Sequence, residues 1–187
     1  MIVAGSCVLA LVAPRAAQAD AYRFQRDGFE IGVVVEAAGF EGPYPLNHAV
    51  VSAAKGDTQS VAMEFDLGGE LQAAWVTDLD GNSRPEVLLW VRTHGSGGYG
   101  GLRFVDVDAA GMVVRELPAL ELEYGQEYRG HDRFTVATGS LVRHFPVYGS
   151  EDANCCPSRG EAEVSYGYDG DVITVRRMPS AELELQV

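Results

Sequence analysis

The chain has 187 residues, of which 27 are acidic and 14 are Lys or Arg, so its formal net charge is −13 at pH 7. That charge repels nucleic acid and anionic membrane surfaces, so it argues against both as partners and favours a cationic partner. The hydrophobic share of 47% is enough to build a substantial core at this length.

The first nineteen residues are mostly apolar and end in Ala17-Gln18-Ala19. This pattern predicts a cleaved signal peptide over residues 1–19, too short to span a membrane, and therefore export without membrane insertion. Removing it leaves one predicted domain, residues 20–187, of 168 residues (187 minus 19). Because the leader carries a single charge, Arg15, the mature chain has 13 basic and 27 acidic residues and a net charge of −14.

Alternation of apolar and polar residues, with many β-branched and aromatic side chains, dominates the rest of the chain. In chain order it predicts strands at residues 29–37, 60–67, 71–79, 86–93, 102–108, 112–117, 133–138, 141–148, 161–168 and 171–177. Asp169-Gly170 is the strongest hairpin signal, and only residues 119–132 could hold a helical turn or a long crossover. The sequence therefore predicts a single all-β domain, an antiparallel β-sandwich.

A glycine-rich segment, RTHGSGGYGGLR at residues 92–103, lies between two predicted strands. It contains a formal G-x-G-x-x-G, but a strand follows it where a dinucleotide site needs a helix. Two interpretations remain open: a plain hairpin connection, or a protruding loop that offers the hydroxyls of Ser96 and Tyr99 to a partner. The second requires flanking strands that hold the loop in place before binding.

The segment DLDGNSRPE, residues 78–86, carries side-chain oxygens at Asp78, Asp80, Asn82 and Glu86. Their spacing around Gly81 resembles the short calcium loops of integrin-type repeat proteins, and Ca²⁺ takes six to eight oxygen ligands. The other interpretation is a turn that joins two strands. The main prediction is a protein without a cofactor. Calcium is the alternative that this turn offers, and a calcium-dependent binding or adhesion module is the alternative function.

Cys155 and Cys156 are adjacent and are the only cysteines of the predicted mature chain. They exclude a long-range disulfide and leave three states open: a vicinal disulfide, free thiols, or pairing between chains. The four histidines show no metal-ligand spacing, and a cysteine nucleophile would need a histidine that the sequence does not place near it. We therefore expect a structural role for the cysteines and no enzyme activity.

Four segments together resemble the bacterial periplasmic inhibitors of invertebrate-type lysozyme. They are VTDLDGNSRPEVLLWVRTHGSGGYGGLRFV, YRGHDRFTV, LVRHFPVY and DANCCPSRGEAEVSYGYDGDVITV, and the resemblance extends from about residue 60 to residue 177. The discriminating part is the serine- and tyrosine-bearing glycine loop that follows the acidic turn.

The resemblance implies a β-sandwich homodimer in the periplasm that inserts this loop into the substrate cleft of a lysozyme. Ser96 and Tyr99 would contact the catalytic carboxylates of the target, Gly97 and Gly98 would shape the loop, and Arg103 or Arg115 would add charge contacts. The residues agree with this interpretation. Lysozymes are typically cationic, so an acidic inhibitor attracts them. They cleave with paired carboxylates, to which the hydroxyls of an inhibitor can donate hydrogen bonds.

Overall fold

The computed structural model describes residues 20–42, 44–58, 60–108, 110–120, 124–137, 139–170 and 172–177. The predicted signal peptide lies outside these residues. The described chain forms twelve strands: β1 Asp20–Arg26, β2 Phe29–Glu41, β3 Tyr44–Lys55, β4 Val61–Asp66, β5 Glu70–Thr77, β6 Glu86–Arg92, β7 Gly100–Asp108, β8 Gly111–Arg115, β9 Arg133–Ala137, β10 Ser140–Pro146, β11 Glu161–Tyr168 and β12 Ile173–Arg177.

The strands form three four-stranded antiparallel sheets, each built from consecutive strands: β1 to β4, β5 to β8, and β9 to β12. One short 3₁₀ turn, Gly125–Glu127, precedes the third sheet. Within the described residues, no helix is long and apolar enough to cross a membrane. The all-β prediction is confirmed, and all ten predicted strands are present, but β1 and β3 were not predicted.

The middle sheet is buried on both faces. Val87, Leu89 and Val91 of β6 pack into one core with β2 and β3 of the first sheet. Leu88 points the other way and packs with Phe104 into a second core, shared with the third sheet. Since alternate side chains of a strand point to opposite faces, the unbroken apolar run of β6 fills both cores. The sandwich therefore has three layers with two cores.

The hairpin of β6 and β7 runs through the centre of this stack. Its strands pair from Glu86 with Asp106 at one end to Arg92 with Gly100 at the other. The acidic turn (residues 78–86) lies at the first end, and the glycine loop (residues 93–99) joins the strands at the second. A strand of seven residues separates the two segments by roughly 20 Å.

Candidate functional site

The glycine loop is a compact turn closed by its own backbone. Thr93 N donates to the Tyr99 carbonyl at 2.8 Å, and Gly98 N donates to the Gly95 carbonyl at 3.2 Å. Ser96 and Tyr99 are exposed, Tyr99 at 45%, whereas Gly97 is buried and Gly98 is half-buried. The four predicted loop residues therefore lie together, with the hydroxyl-bearing side chains exposed and the glycines against the protein.

A second backbone segment packs closely against this loop. His131 N donates to the Gly97 carbonyl at 2.8 Å. A Cβ atom at Gly130, where φ is +87°, would lie 2.4 Å from the same carbonyl oxygen. A Cβ atom at Gly97 would lie 2.5 Å from the Tyr99 ring. Glycine is required at Gly130 because a Cβ atom would collide with the Gly97 backbone, and at Gly97 because it would collide with the Tyr99 ring and approach the Arg129 carbonyl.

A buried ion pair fixes the point where the loop enters β7. Asp132 Oδ2 accepts hydrogen bonds from Gly100 N at 2.6 Å and from the Tyr128 hydroxyl at 2.8 Å. Asp132 Oδ1 accepts from Arg143 Nε at 2.6 Å, and Arg143 Nη2 donates to the Gly100 carbonyl at 3.1 Å. Both backbone polar groups of Gly100 are thus held by one charged pair, whose side chains are 0% and 9% exposed.

The surroundings of Arg143 keep its charge. Although burial acts to lower the pKa of Arg143, the hydrogen bond and the negative charge of Asp132 raise that pKa above its ordinary value. The guanidinium also lies over the Tyr128 ring, 5.2 Å from its centroid. Tyr128 in turn packs edge-on against Tyr99, at 5.6 Å between ring centroids. The ion pair therefore supports the exposed tyrosine of the loop as well as its backbone.

The segment that carries the two cysteines, residues 149–158 (the cysteine loop), lies beside the glycine loop. Asn154 Nδ2 donates to the Ser96 carbonyl at 2.9 Å, and the Tyr148 hydroxyl donates to the Asn154 carbonyl at 3.0 Å. Cys155 and Cys156 are exposed and bonded to each other. Of the three states that the sequence left open, the structure has the vicinal disulfide.

Asp152 and Arg129 hold the cysteine loop in shape. Asp152 Oδ2 accepts from Gly149 N at 2.6 Å and from Ser158 N at 2.7 Å. These two hydrogen bonds lower the pKa of Asp152. Arg129 donates to the Asp152 carbonyl at 2.6 Å and lies over the Tyr148 ring, 4.9 Å from its centroid. Arg129 directly precedes Gly130, so the same segment contacts both loops.

Two exposed aromatic residues extend this end of the molecule. Tyr44, at the start of β3, stacks on His94 of the glycine loop with ring centroids 4.9 Å apart. His94 Nε2 lies 3.1 Å from the Pro45 carbonyl oxygen. Phe40, which pairs with Pro45 across the β2–β3 hairpin, is 75% exposed. The sequence did not reveal Tyr44 because β3 was not predicted, nor Phe40 because the predicted strand ended at residue 37, short of the end of β2.

The two arginines predicted as supporting charges form their hydrogen bonds with residues outside the loop. Arg103 is half-buried on β7 and donates to the Leu67 carbonyl at 3.1 Å. Arg115 lies at the end of β8, where Nη2 donates to Asp106 Oδ2 at 3.5 Å and to the Gly170 carbonyl at 3.3 Å. Asp106 pairs with Glu86, so Arg115 lies toward the opposite end of the hairpin.

The acidic turn brings three of its four predicted residues together. One carboxylate oxygen each of Asp78, Asp80 and Glu86 lies within 4.8 Å of the others. Asn82 instead supports the turn, because its amide donates to Asp80 Oδ2 at 2.7 Å and its oxygen accepts from Arg84 N at 2.7 Å.

Glu86 is fully buried at the start of β6. Burial raises its pKa to about 8, and the charges of Asp80 and Asp78 add to the rise, against the hydrogen bond that Leu79 N donates to Oε2 at 2.7 Å. The three carboxylates of the acidic turn are the kind of ligands that an oxygen-binding cation takes. The glycine loop, at the other end of the β6–β7 hairpin, presents two hydroxyls on a fixed backbone.

Comparison of the chain with protein-family models, with curated proteins and with solved structures gave no match.

Proposed function

We propose that this protein is an exported inhibitor of lysozyme of the invertebrate type, which it blocks by inserting the glycine loop into the catalytic cleft. The hydroxyls of Ser96 and Tyr99 donate hydrogen bonds to the paired catalytic carboxylates of the target. The observation that carries the proposal is an exposed Ser96 and Tyr99 on a loop whose backbone is fixed from below by Asp132 and Arg143. The proposal includes a periplasmic location and a homodimer, which the resemblance implies.

Pre-organisation decides whether such a loop can bind. Ordering a free backbone costs about 1–2 kcal/mol per residue. A hydrogen bond to a charged acceptor contributes roughly 1.5–3 kcal/mol. Two hydroxyls therefore cannot offset the ordering of seven residues at the moment of binding. The hydrogen bonds of Gly97 with His131, Ser96 with Asn154, and Gly100 with Asp132 order the loop when the chain folds instead.

The chemistry of the loop suits a pair of carboxylates in a narrow cleft. Hydroxyls donate hydrogen bonds to carboxylates without adding negative charge, and glycines leave the backbone slim enough to enter. The exposed Phe40 and Tyr44 beside the loop supply apolar contact area, of the aromatic kind that is enriched in protein interfaces. The net negative charge of the chain attracts a cationic enzyme.

The double variant Ser96→Ala with Tyr99→Phe tests the role of the two hydroxyls. We expect inhibition to weaken roughly 100-fold or more, since two charge-assisted hydrogen bonds are lost. The melting temperature should stay unchanged, because both side chains are exposed. The matched control is Tyr22→Phe with Ser60→Ala, which removes the same two groups from β1 and from the residue before β4 and should inhibit like the original chain. A double variant that inhibits at full strength would contradict the proposal.

The direct test is lysis of peptidoglycan by invertebrate-type, chicken-type and goose-type lysozymes, each with and without the purified mature chain. Selective inhibition of the invertebrate type is the expected result. Undiminished lysis by all three enzymes at micromolar protein would refute the proposed function.

A further inference from the structure

The acidic turn holds a feature that lysozyme inhibition does not use. Glu86 is 0% exposed at the first position of β6, and its Oε2 accepts the hydrogen bond from Leu79 N. Its other oxygen, Oε1, is buried and has no hydrogen-bond partner among the described residues. Asp78 Oδ1 is also buried and, within the same part of the chain, also without a partner. Buried polar atoms are almost always satisfied by protein, water or an ion, so two orphaned oxygens in one turn mark a place that a water or an ion fills.

The two oxygens belong to residues whose carboxylates converge. Asp78, Asp80 and Glu86 each offer one oxygen within 4.8 Å of the other two. If all three were ionised at that separation, they would repel one another, and the repulsion would be stronger in a partly buried site than in water. A cation among them would remove the repulsion and satisfy the orphaned oxygens at once.

The arginines at this end are bonded to other carboxylates. Arg84 Nη1 donates to Asp108 Oδ2 at 3.2 Å, and Arg115 Nη2 donates to Asp106 Oδ2 at 3.5 Å. The Asn82 amide donates to Asp80 Oδ2, and among the described residues no group donates a hydrogen bond to the orphaned oxygens of Asp78 and Glu86. The partner that fits is therefore a ligand rather than one of these side chains.

We propose that the carboxylates of Asp78, Asp80 and Glu86 bind one calcium ion at the turn between β5 and β6. Ca²⁺ is a hard cation that accepts carboxylate oxygens in irregular geometry, and backbone carbonyls and water complete its shell. Mg²⁺ demands a near-ideal octahedron and keeps most of its own water, so a partly buried cluster of three carboxylates suits it less. This inference stands independently of the proposed inhibition, because the turn is at the opposite end of the β6–β7 hairpin.

The test begins with the mature chain, freed of metal with EDTA and dialysed, and titrated with calcium chloride by calorimetry. We expect one binding event per chain. At a hundredfold excess of Ca²⁺ over its dissociation constant, the melting temperature should rise by roughly 5–10 °C over that of the metal-free protein. Magnesium chloride at the same concentration should give a smaller rise, and renewed EDTA should reverse the effect.

Glu86→Gln keeps the shape of the central ligand and removes its charge. This variant should bind Ca²⁺ at least tenfold more weakly and lose most of the rise in melting temperature. Asp78→Asn tests the same site at a half-buried position and serves if the buried substitution prevents folding. The matched control is Asp66→Asn on β4, whose carboxylate is 88% exposed, and it should respond to Ca²⁺ like the original chain.

Three outcomes would overturn the proposal. They are a calorimetric titration without binding heat together with a melting temperature that Ca²⁺ does not move, an equal or larger rise with Mg²⁺, or an undiminished Ca²⁺ response in both site variants. Each readout is independent of lysozyme, so a protein that binds Ca²⁺ without inhibiting, or inhibits without binding Ca²⁺, separates this inference from the proposed function.

Discussion

Asp132 and Arg143 illustrate how two buried side chains determine the shape of a loop that is distant in sequence but in contact with them. The pair is buried beneath the glycine loop and bonded to both backbone groups of Gly100. A Cβ atom at Gly100 would lie 2.5 Å from the Asp132 Cβ, so the contact also requires glycine there. Burying two charges is costly unless each is fully hydrogen-bonded, and removing one partner leaves the other charge uncompensated.

Arg143→Ala should therefore lower the free energy of unfolding by about 3–5 kcal/mol, as expected when one member of a buried ion pair is removed. It should also weaken inhibition, because Gly100 loses its anchor. The matched control is Arg133→Ala, which breaks an exposed ion pair with Glu161 on the same sheet and should cost less than about 1 kcal/mol. Urea unfolding of both variants measures the difference. Equal costs would show that the buried pair contributes no more than a surface one.

At this scale the sequence revealed the exposed residues of the site but not their supports. Ser96 and Tyr99 stand out because glycines surround them. Asp132 and Arg143 lie 32 and 43 positions from Gly100, and their meeting depends on how the middle and third sheets stack. One signal was available: Arg143 shares the inward face of β10 with Leu141 and Phe145, and a charge on such a face predicts a buried partner.

Two loops and one connecting segment act together at the level of elements. The glycine loop and the cysteine loop both contact the segment that contains Arg129, Gly130 and His131. The Gly97 carbonyl packs directly against the Gly130 backbone, so this contact determines how far Ser96 and Tyr99 project from the protein.

Gly130→Ala should displace the glycine loop, because the new Cβ atom would lie 2.4 Å from the Gly97 carbonyl oxygen. We expect at least tenfold weaker inhibition and an unfolding free energy lower by roughly 2–4 kcal/mol, from the left-handed backbone and the collision together. Gly160→Ala is the matched control, since its φ of +85° is nearly the same and its Cβ would meet no described atom within 4 Å. This control should lose only the unfolding free energy that a left-handed backbone costs, and it should inhibit like the original chain. A Gly160→Ala variant that loses inhibition equally would contradict this account.

The elements themselves were largely predictable, since period-two alternation specifies where a half-buried strand runs. β11 was predicted to the residue and β6 within one residue. β3 was missed because its sequence, YPLNHAVVSAAK, is rich in residues of low β propensity such as Pro, Asn and Ala. Its place between β2 and β4 is decided by packing on the first core rather than by local preference. The number of sheets could not be predicted from the sequence either, because the alternation of apolar and polar residues does not show which element covers each face of a strand.

Charge acts at the level of the whole molecule. The net charge of the chain is −13. The described acidic residues are spread over all three sheets, so the negative charge is not confined to one surface patch. Such a field raises the rate at which a cationic partner is encountered, while the contacts of the docked loop set how long it stays.

Salt should therefore separate the two contributions in the complex with a cationic lysozyme. Raising the ionic strength from about 0.01 M to about 0.5 M should slow association roughly tenfold or more and change dissociation little. Stopped-flow or surface-based kinetics measures both rates. The variant Glu64→Gln with Asp66→Asn, on β4 of the first sheet, should slow association slightly and leave dissociation unchanged. An association rate independent of salt would show that the net charge does not guide the encounter.

The order of the strands along the chain also determines the order in which the two cores can form. Within each sheet, every strand pairs with the strands next to it in sequence, so each sheet forms through hairpin contacts that are local along the chain. The middle sheet nevertheless carries apolar residues on both faces. During synthesis, the apolar face of the middle sheet that belongs to the second core stays exposed to water until β9 to β12 have been made. A chain truncated after β8 would keep one whole core open to water, ready to associate with another copy of itself.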